Sequence, residues 1–278
     1  MLRNLSKRIG FIVIALPIGC VLIFVGGLPF LTLILLIFAL AAHEYVKIFS
    51  LGGYLPARYL VIGGTLLLIL TRYYNRFAHT DWLLTLLILI TMTYHLVTFE
   101  RGRQMAAVDF CTTLGGLLYF GWLGGYFISV QQLPDGHWWF LLAIGTTWMV
   151  DIGGYVFGKT MGKHPFCPRL SPRKTWEGYW GGFVGGVVGG LLIILLWKTI
   201  EPVSGSNLPY SLGVGLGLLL ALLTPLGDLG ESMVKRQFGV KDSSRIIPGH
   251  GGVWDRIDSW LWGIAIGYYV FAVFLGLG

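Results

Sequence analysis

Charge is what this chain has least of. Only 12% of its 278 residues are Asp, Glu, Lys or Arg, against 55% hydrophobic residues and a mean hydropathy of +0.73. A water-soluble globular domain carries roughly 25% charged residues, so that class is excluded and an integral membrane protein is expected. Cysteine is nearly absent too: Cys20, Cys111 and Cys167 are odd in number and show no CxxC spacing, which excludes a disulfide framework and a zinc site. No linker, low-complexity tract or internal repeat breaks the chain. The net charge of +7 does not point to nucleic acid, because the basic residues sit in short loops between apolar runs, where membrane-surface effects explain them.

What the chain has in quantity is apolar length. A spanning helix needs about 20 mostly apolar residues, and by that rule about nine segments stand out, centred near Val21, Leu36, Leu67, Leu87, Leu118, Thr146, Val187, Leu218 and Tyr268. The fold class expected is an all-α polytopic membrane protein. The opening MLRNLSKRIG and FIVIALPIGC have the basic-then-apolar order of a signal peptide, but apolar sequence resumes to about Leu40. A retained first helix is expected.

With nine spans and a cytoplasmic N-terminus, the inner side receives Arg3, Lys7, Arg8, Lys47, Arg58, Arg101, Arg103, Lys159, Lys163, Arg169, Arg173, Lys174, Lys235, Arg236, Lys241 and Arg245. The outer side receives Arg72, Arg76 and Lys198. Sixteen against three is the asymmetry of the positive-inside rule. The expected location is the inner, cytoplasmic membrane, with the charged chemistry facing the cytoplasm. Residues 1–140 read as plain transmembrane helices with short loops, and residues 141–278 as the catalytic region, because nearly every unusual residue falls there.

Three segments of that region carry chemistry. In WMVDIGGYVFGKTMGKHPFCPRLSPRKTWEGYWGG, Trp148 to Gly182, Asp151 lies inside an apolar span, where an ionised carboxylate costs roughly 2.5 to 3.5 kcal/mol unless partnered or wet. Lys159 and Lys163 alternate with glycines. Ser171 or Thr175 is placed to cap the next helix, with Glu177 in its first turns. That helix start, with Arg173 and Lys174, suits phosphate oxygens, although a basic loop obeying the positive-inside rule reads equally well. Beyond it, Gly178, Gly182, Gly186 and Gly190 form one stripe, and Gly181, Gly185 and Gly189 the adjacent one. Both predict close helix packing.

In TPLGDLGESMVKRQFGVKD, Thr224 to Asp242, Pro225 and Gly227 interrupt the eighth span before Asp228 and Glu231, which share a face if the helix persists. Lys235, Arg236 and Lys241 follow. Acids for a cation and bases for phosphate are the two halves of a nucleotide site; mutual neutralisation is the plainer alternative. In KDSSRIIPGHGGVWDRIDSW, Asp255 and Asp258 lie three apart at the start of the last span, on one face. Two acids so placed repel unless a cation or proton lies between them, and Mg2+ suits two carboxylates together with substrate phosphates. Arg256 points elsewhere on the wheel, toward phosphate or a lipid headgroup. His250 is the one titratable member of PGHGG, and a lone loop histidine reads first as structural.

The stretch SMVKRQFGVKDSSRIIPGHGGVWDRID, Ser232 to Asp258, resembles the signature of the phosphatidate cytidylyltransferases, also called CDP-diacylglycerol synthases, without a departure. The upstream Asp, Tyr, GK, GK, SP, KT and EG elements resemble the family too, with Ile152 where Thr is expected and Arg173 where Lys is usual. The resemblance implies a magnesium-dependent membrane enzyme, usually dimeric, that condenses CTP with phosphatidic acid to CDP-diacylglycerol and pyrophosphate. It also admits a second, monovalent cation such as K+. On that footing Asp228, Asp255 and Asp258 are expected to ligate the cation, with Asp151 as a further candidate. Lys235, Arg236, Lys241 and Arg256 are expected to hold phosphates, assisted by Lys159, Lys174, the Ser171–Thr175 loop and His250. The lipid phosphate is itself the nucleophile, so no Ser-His-Asp arrangement is needed.

Three rival readings remain. A secondary transporter for an anion predicts related features in both halves, and the first half shows none. A lipid kinase or CDP-alcohol transferase would use the same nucleotide chemistry, and the spaced DG, AR, G, D and D elements of the CDP-alcohol pattern are absent. A degenerate paralogue predicts lost charges, and every charged position of the signature is present.

Overall fold

The computed structural model describes the chain except Met1, Ser206, residues 248–250 and Gly278, together with the side chains of residues 1–12 and 14. His250 and the basic side chains Arg3, Lys7 and Arg8 therefore lie outside the described residues.

The chain is helical at all nine expected centres. In order come α1 (Leu2–Val25), α2 (Gly27–Leu51), α3 (Arg58–Asn75), α4 (Thr80–Glu100), α5 (Ala106–Gly116), a π-helical turn (Leu117–Trp122), α6 (Leu123–Gln131) and α7 (Gly136–Met161). A hairpin of β1 (Pro165–Cys167) and β2 (Ser171–Thr175) follows. Then come α8 (Trp176–Ile200), the short α9 (Pro202–Gly205), α10 (Tyr210–Leu223), α11 (Pro225–Gln237), α12 (Trp254–Tyr269) and a closing π-turn (Val270–Phe274). Among the described residues the antiparallel hairpin and an isolated bridge between Ile247 and Gly251 are the β features of a largely helical chain.

Among the described residues, seven segments are long and apolar enough to cross a membrane: Gly27–Leu51, Thr80–Glu100, Ala106–Gln131, Gly136–Met161, Trp176–Ile200, Tyr210–Gln237 and Trp254–Phe274. The other two expected spans are helical but differ in kind. Within the described residues α1 contributes a shorter apolar stretch, Ala15–Val25. Helix α3 lacks the apolarity because Arg58 opens it and Arg72, Tyr73, Tyr74 and Asn75 close it.

The chain divides into two compact units. The first comprises Met1–Ser129 and Val234–Ile257, the second Val130–Met233 and Asp258–Gly278. In the first, the core gathers Phe38, Tyr45, Val61, Leu68, Leu117, Phe120 and Trp254, all nearly sealed. The Trp254 ring centroid lies 5.6 Å from that of Tyr45 and 5.4 Å from that of Phe120, so the first residue of α12 is anchored among aromatic side chains. Arg103 braces two loops, donating to the buried Asp109 carboxylate at 2.6 Å and to the Gly53 carbonyl at 2.7 Å.

In the second unit the glycines of α8 serve two neighbours: Gly178 and Gly182 face α7, as the second stripe does, while Gly186 and Gly190 of the first stripe turn to α10. A Cβ on Gly181, Gly185 or Gly189 would strike Phe157 and Met149 of α7, and one on Gly186 or Gly190 would strike the backbone at Gly217 and Gly213 of α10. Without a hydrophobic driving force between helices in lipid, such backbone-to-backbone approach is a main source of packing energy. At the far end of the same helices, Trp197 stacks on Trp138 with centroids 5.7 Å apart.

Candidate active site

In the second unit, three carboxylates converge. The interruption falls at Thr224, and a new helix starts at Pro225, which lacks the N–H that a helix start leaves unused; the candidate span still runs Tyr210–Gln237, 28 residues. Asp228 and Glu231 therefore lie three apart on α11. Gly227 lets the start of α12 come close: a Cβ there would sit 2.5 Å from the Asp258 carbonyl oxygen. One carboxylate oxygen each from Asp228, Glu231 and Asp258 falls within 4.8 Å of the others. Glu231 is 1% exposed, and the other two are half-buried.

Three acids this close repel, by on the order of 3 to 4 kcal/mol per pair at an effective dielectric near 20. Lys174 Nζ, 2.5 Å from Asp228 Oδ2, offsets part of this, and Ser232 Oγ donates to Asp228 Oδ1 at 3.3 Å. An all-oxygen, acid-rich donor set fits Mg2+, which takes one or two protein carboxylates and completes its shell with water and substrate phosphates.

The hairpin region keeps to the expected local chemistry. Thr175 is the cap of α8, its Oγ1 accepting from Gly178 N at 3.2 Å, while Ser171 instead opens β2, paired with Cys167. Glu177 turns back to accept from the backbone N–H groups of Lys163 and His164, at 3.1 and 3.2 Å, and meets His164 Nδ1 at 2.5 Å. Lys159 is exposed at the end of α7, 3.4 Å from Tyr155 Oη. Asp151, exposed on α7, is not among the three clustered carboxylates.

In the first unit, Asp255 is the centre of its own shell. Its Oδ1 accepts from Lys235 Nζ at 2.7 Å; its Oδ2 accepts from Gly252 N at 2.7 Å and meets Ser243 N and Oγ, both at 2.9 Å. Arg236, Lys241 and Arg256 are exposed. Thus Asp228 and Asp258 come together as expected, Glu231 joins them, and Asp255 engages a lysine and a loop.

Two residues escaped the sequence reading. Glu231 was read as a face partner of Asp228 but not as a cation ligand. Glu44, in α2, is wholly buried and takes four hydrogen bonds from residues 243–254. The signal that singles out Asp151, an acid inside an apolar run, applies equally to Glu44.

Comparison with known proteins assigns the family. The model of the cytidylyltransferase family matches residues 6–274. A phosphatidate cytidylyltransferase of Bacillus subtilis (strain 168) is 32% identical over 287 residues, covering 98% of this chain and 99% of the relative. One of Staphylococcus haemolyticus (strain JCSC1435) is 31% identical over 90% of this chain and 92% of its own length, and one of Staphylococcus aureus (strain COL) is 37% identical over 62% of each. With a match running almost from end to end, the chain belongs to the cytidylyltransferase family.

Proposed function

We propose that this chain transfers a cytidylyl group from CTP to phosphatidic acid, giving CDP-diacylglycerol and pyrophosphate. The observation that carries the reading is the cluster of Asp228, Glu231 and Asp258 within 4.8 Å, on the two helices that carry the ends of the signature from Ser232 to Asp258. Relatives matched along nearly the whole chain are phosphatidate cytidylyltransferases.

The reaction joins two anions. A non-bridging oxygen of the lipid phosphate, largely ionised near neutral pH, attacks the α-phosphorus of CTP. A new P–O bond forms, the bond from that phosphorus to the bridging oxygen breaks, and pyrophosphate leaves with the electron pair. No protein nucleophile is needed; positioning and charge stabilisation supply the catalysis. Asp228, Glu231 and Asp258 would hold Mg2+, which when bound neutralises phosphate oxygens. Lys235, Arg236, Lys241 and Arg256 would hold phosphates, with Lys174 and Lys159 assisting. Asp255 would keep the Lys235 ammonium oriented.

The basic residues around the unusual segments, Lys159 to Lys174 and Lys235 to Arg245, support a multi-pass protein of the cytoplasmic membrane with this chemistry on the cytoplasmic side. A homodimer and a second cation such as K+ belong to the same reading, on the family resemblance.

The test is pyrophosphate release by the purified protein in detergent, with CTP, Mg2+ and phosphatidic acid, beside Asp258→Asn. Release that requires the lipid and is lost in the variant supports the reading. A silent wild type, or a fully active Asp258→Asn, overturns it.

A further inference from the structure

We infer that Glu44, far from the signature in sequence, is a positioning residue for the reaction: it clamps both ends of the signature loop and so sets Asp255 and Lys235. The inference rests on the cytidylyl-transfer reading for what is positioned, but the clamp itself is a matter of geometry.

Glu44 is 0% exposed, inside a span of mean hydropathy 1.9, where an ionisable group is costly unless the fold gives it partners. Among the described residues its partners come from one stretch, residues 243–254. Oε2 accepts from Ser243 Oγ at 2.9 Å and from Trp254 N at 2.8 Å; Oε1 accepts from Ser244 Oγ at 2.5 Å and from Val253 N at 2.9 Å. The two hydroxyls open the loop and the two amides close it. Those amides belong to the start of α12, where backbone donors lack partners within the helix, so Glu44 performs from a distant helix the work of an N-terminal cap. Its neighbour Tyr45 packs against the Trp254 ring, so consecutive residues of α2 fix the same point of α12 by charge and by shape.

What the clamp holds is the Asp255 shell. Ser243 Oγ lies 2.9 Å from both Glu44 Oε2 and Asp255 Oδ2. It joins the two carboxylates directly, its single proton donated to one at a time. Ser243 N, Ser243 Oγ and Gly252 N of the clamped loop, together with Lys235 Nζ, lie within hydrogen-bond reach of the Asp255 carboxylate. Gly252 itself is pressed against the clamp, since a Cβ there would lie 2.5 and 2.6 Å from the Glu44 oxygens. Loss of the Glu44 charge therefore loosens the groups that orient the lysine, without removing any group that would touch substrate.

The test is Glu44→Gln in the full-length protein, which keeps the shape but replaces one acceptor oxygen with a donor. The kcat for pyrophosphate release should fall about 10- to 100-fold, the range for residues that orient a site from behind, while stoichiometric CTP binding is retained. Exchange of the Val253 and Trp254 amides should accelerate at least about tenfold. Should Glu44→Gln fail to fold, Ser243→Ala with Ser244→Ala removes the two hydroxyl donors and is expected to lower kcat in the same direction by less. A kcat within about twofold of wild type overturns the inference. So does loss of CTP-binding capacity with unchanged turnover per binding site, which marks a purely structural role. A silent wild type overturns the functional reading instead; the exchange measurement needs no turnover and still decides the clamp, unchanged exchange sinking it.

Discussion

Lys235 Nζ lies 2.7 Å from Asp255 Oδ1, with the two side chains 11% and 5% exposed. A pair so buried is a weak source of net stability, but removing one member leaves an uncompensated charge and costs on the order of 3 to 5 kcal/mol. Lys235→Met should fall toward the low end of that range, because Asp255 keeps its loop donors, and should abolish pyrophosphate release. Adding Asp255→Asn should restore much of the melting temperature and none of the activity. Recovery of both would mean that the pair is structural only.

If Asp228, Glu231 and Asp258 share one Mg2+, neutralising any of them should raise the Mg2+ concentration for half-maximal activity by about tenfold or more. Glu231→Gln is the informative variant, being the buried member of the three. A magnesium titration of the three Asn or Gln variants checks this. An unchanged requirement in Glu231→Gln would leave the buried glutamate a packing role alone.

The nine helix centres and the Asp228/Glu231 face were legible because both follow from local periodicity, apolar length in one case and a three-residue spacing in the other. The close packing along the α8 glycine stripes was legible for the same reason. Glu44 stands out only as an acid in an apolar run; its partners lie 199 to 210 residues away, and no local pattern encodes such pairing. The Pro165–Thr175 hairpin was read as a basic loop: β1 and β2 are 3 and 5 residues long, too short for alternation to be visible. Asp255 was read with Asp258 because they share a helix face, and a wheel does not show that Lys235 and the 243–252 loop claim one of them.

Gly252 and Gly230 should respond oppositely to alanine. A methyl on Gly252 meets Ser243 Oγ and both Glu44 oxygens, so Gly252→Ala should cost about 1 to 3 kcal/mol of strain and at least about tenfold in kcat. A methyl on Gly230, inside α11, meets nothing within 4 Å, so Gly230→Ala should raise stability by roughly 0.4 to 1 kcal/mol. Thermal unfolding in detergent measures both. A destabilised Gly230→Ala would show that α11 has a neighbour on that face.

The contact between α8 and α10 allows the same contrast away from the chemistry. Gly190 of α8 and Gly213 of α10 face each other's carbonyls, and a Cβ on either would enter the other's backbone, which has no rotamer by which to yield. Gly190→Val must therefore push the helices apart, exchanging many small dispersion contacts for a gap. Overpacking of this kind costs about 1 to 3 kcal/mol, and more is expected here because the obstruction is main chain. Gly215, on α10 with nothing within 4 Å, should accept Val without steric cost, valine being the better helix former of the two. The melting temperatures of the two variants check this, with Mg2+ dependence as a second readout. Gly190→Val should lower the melting temperature and leave the Mg2+ requirement of the surviving folded fraction unchanged, because the wedge acts on helix packing far along the chain from Asp228, Glu231 and Asp258.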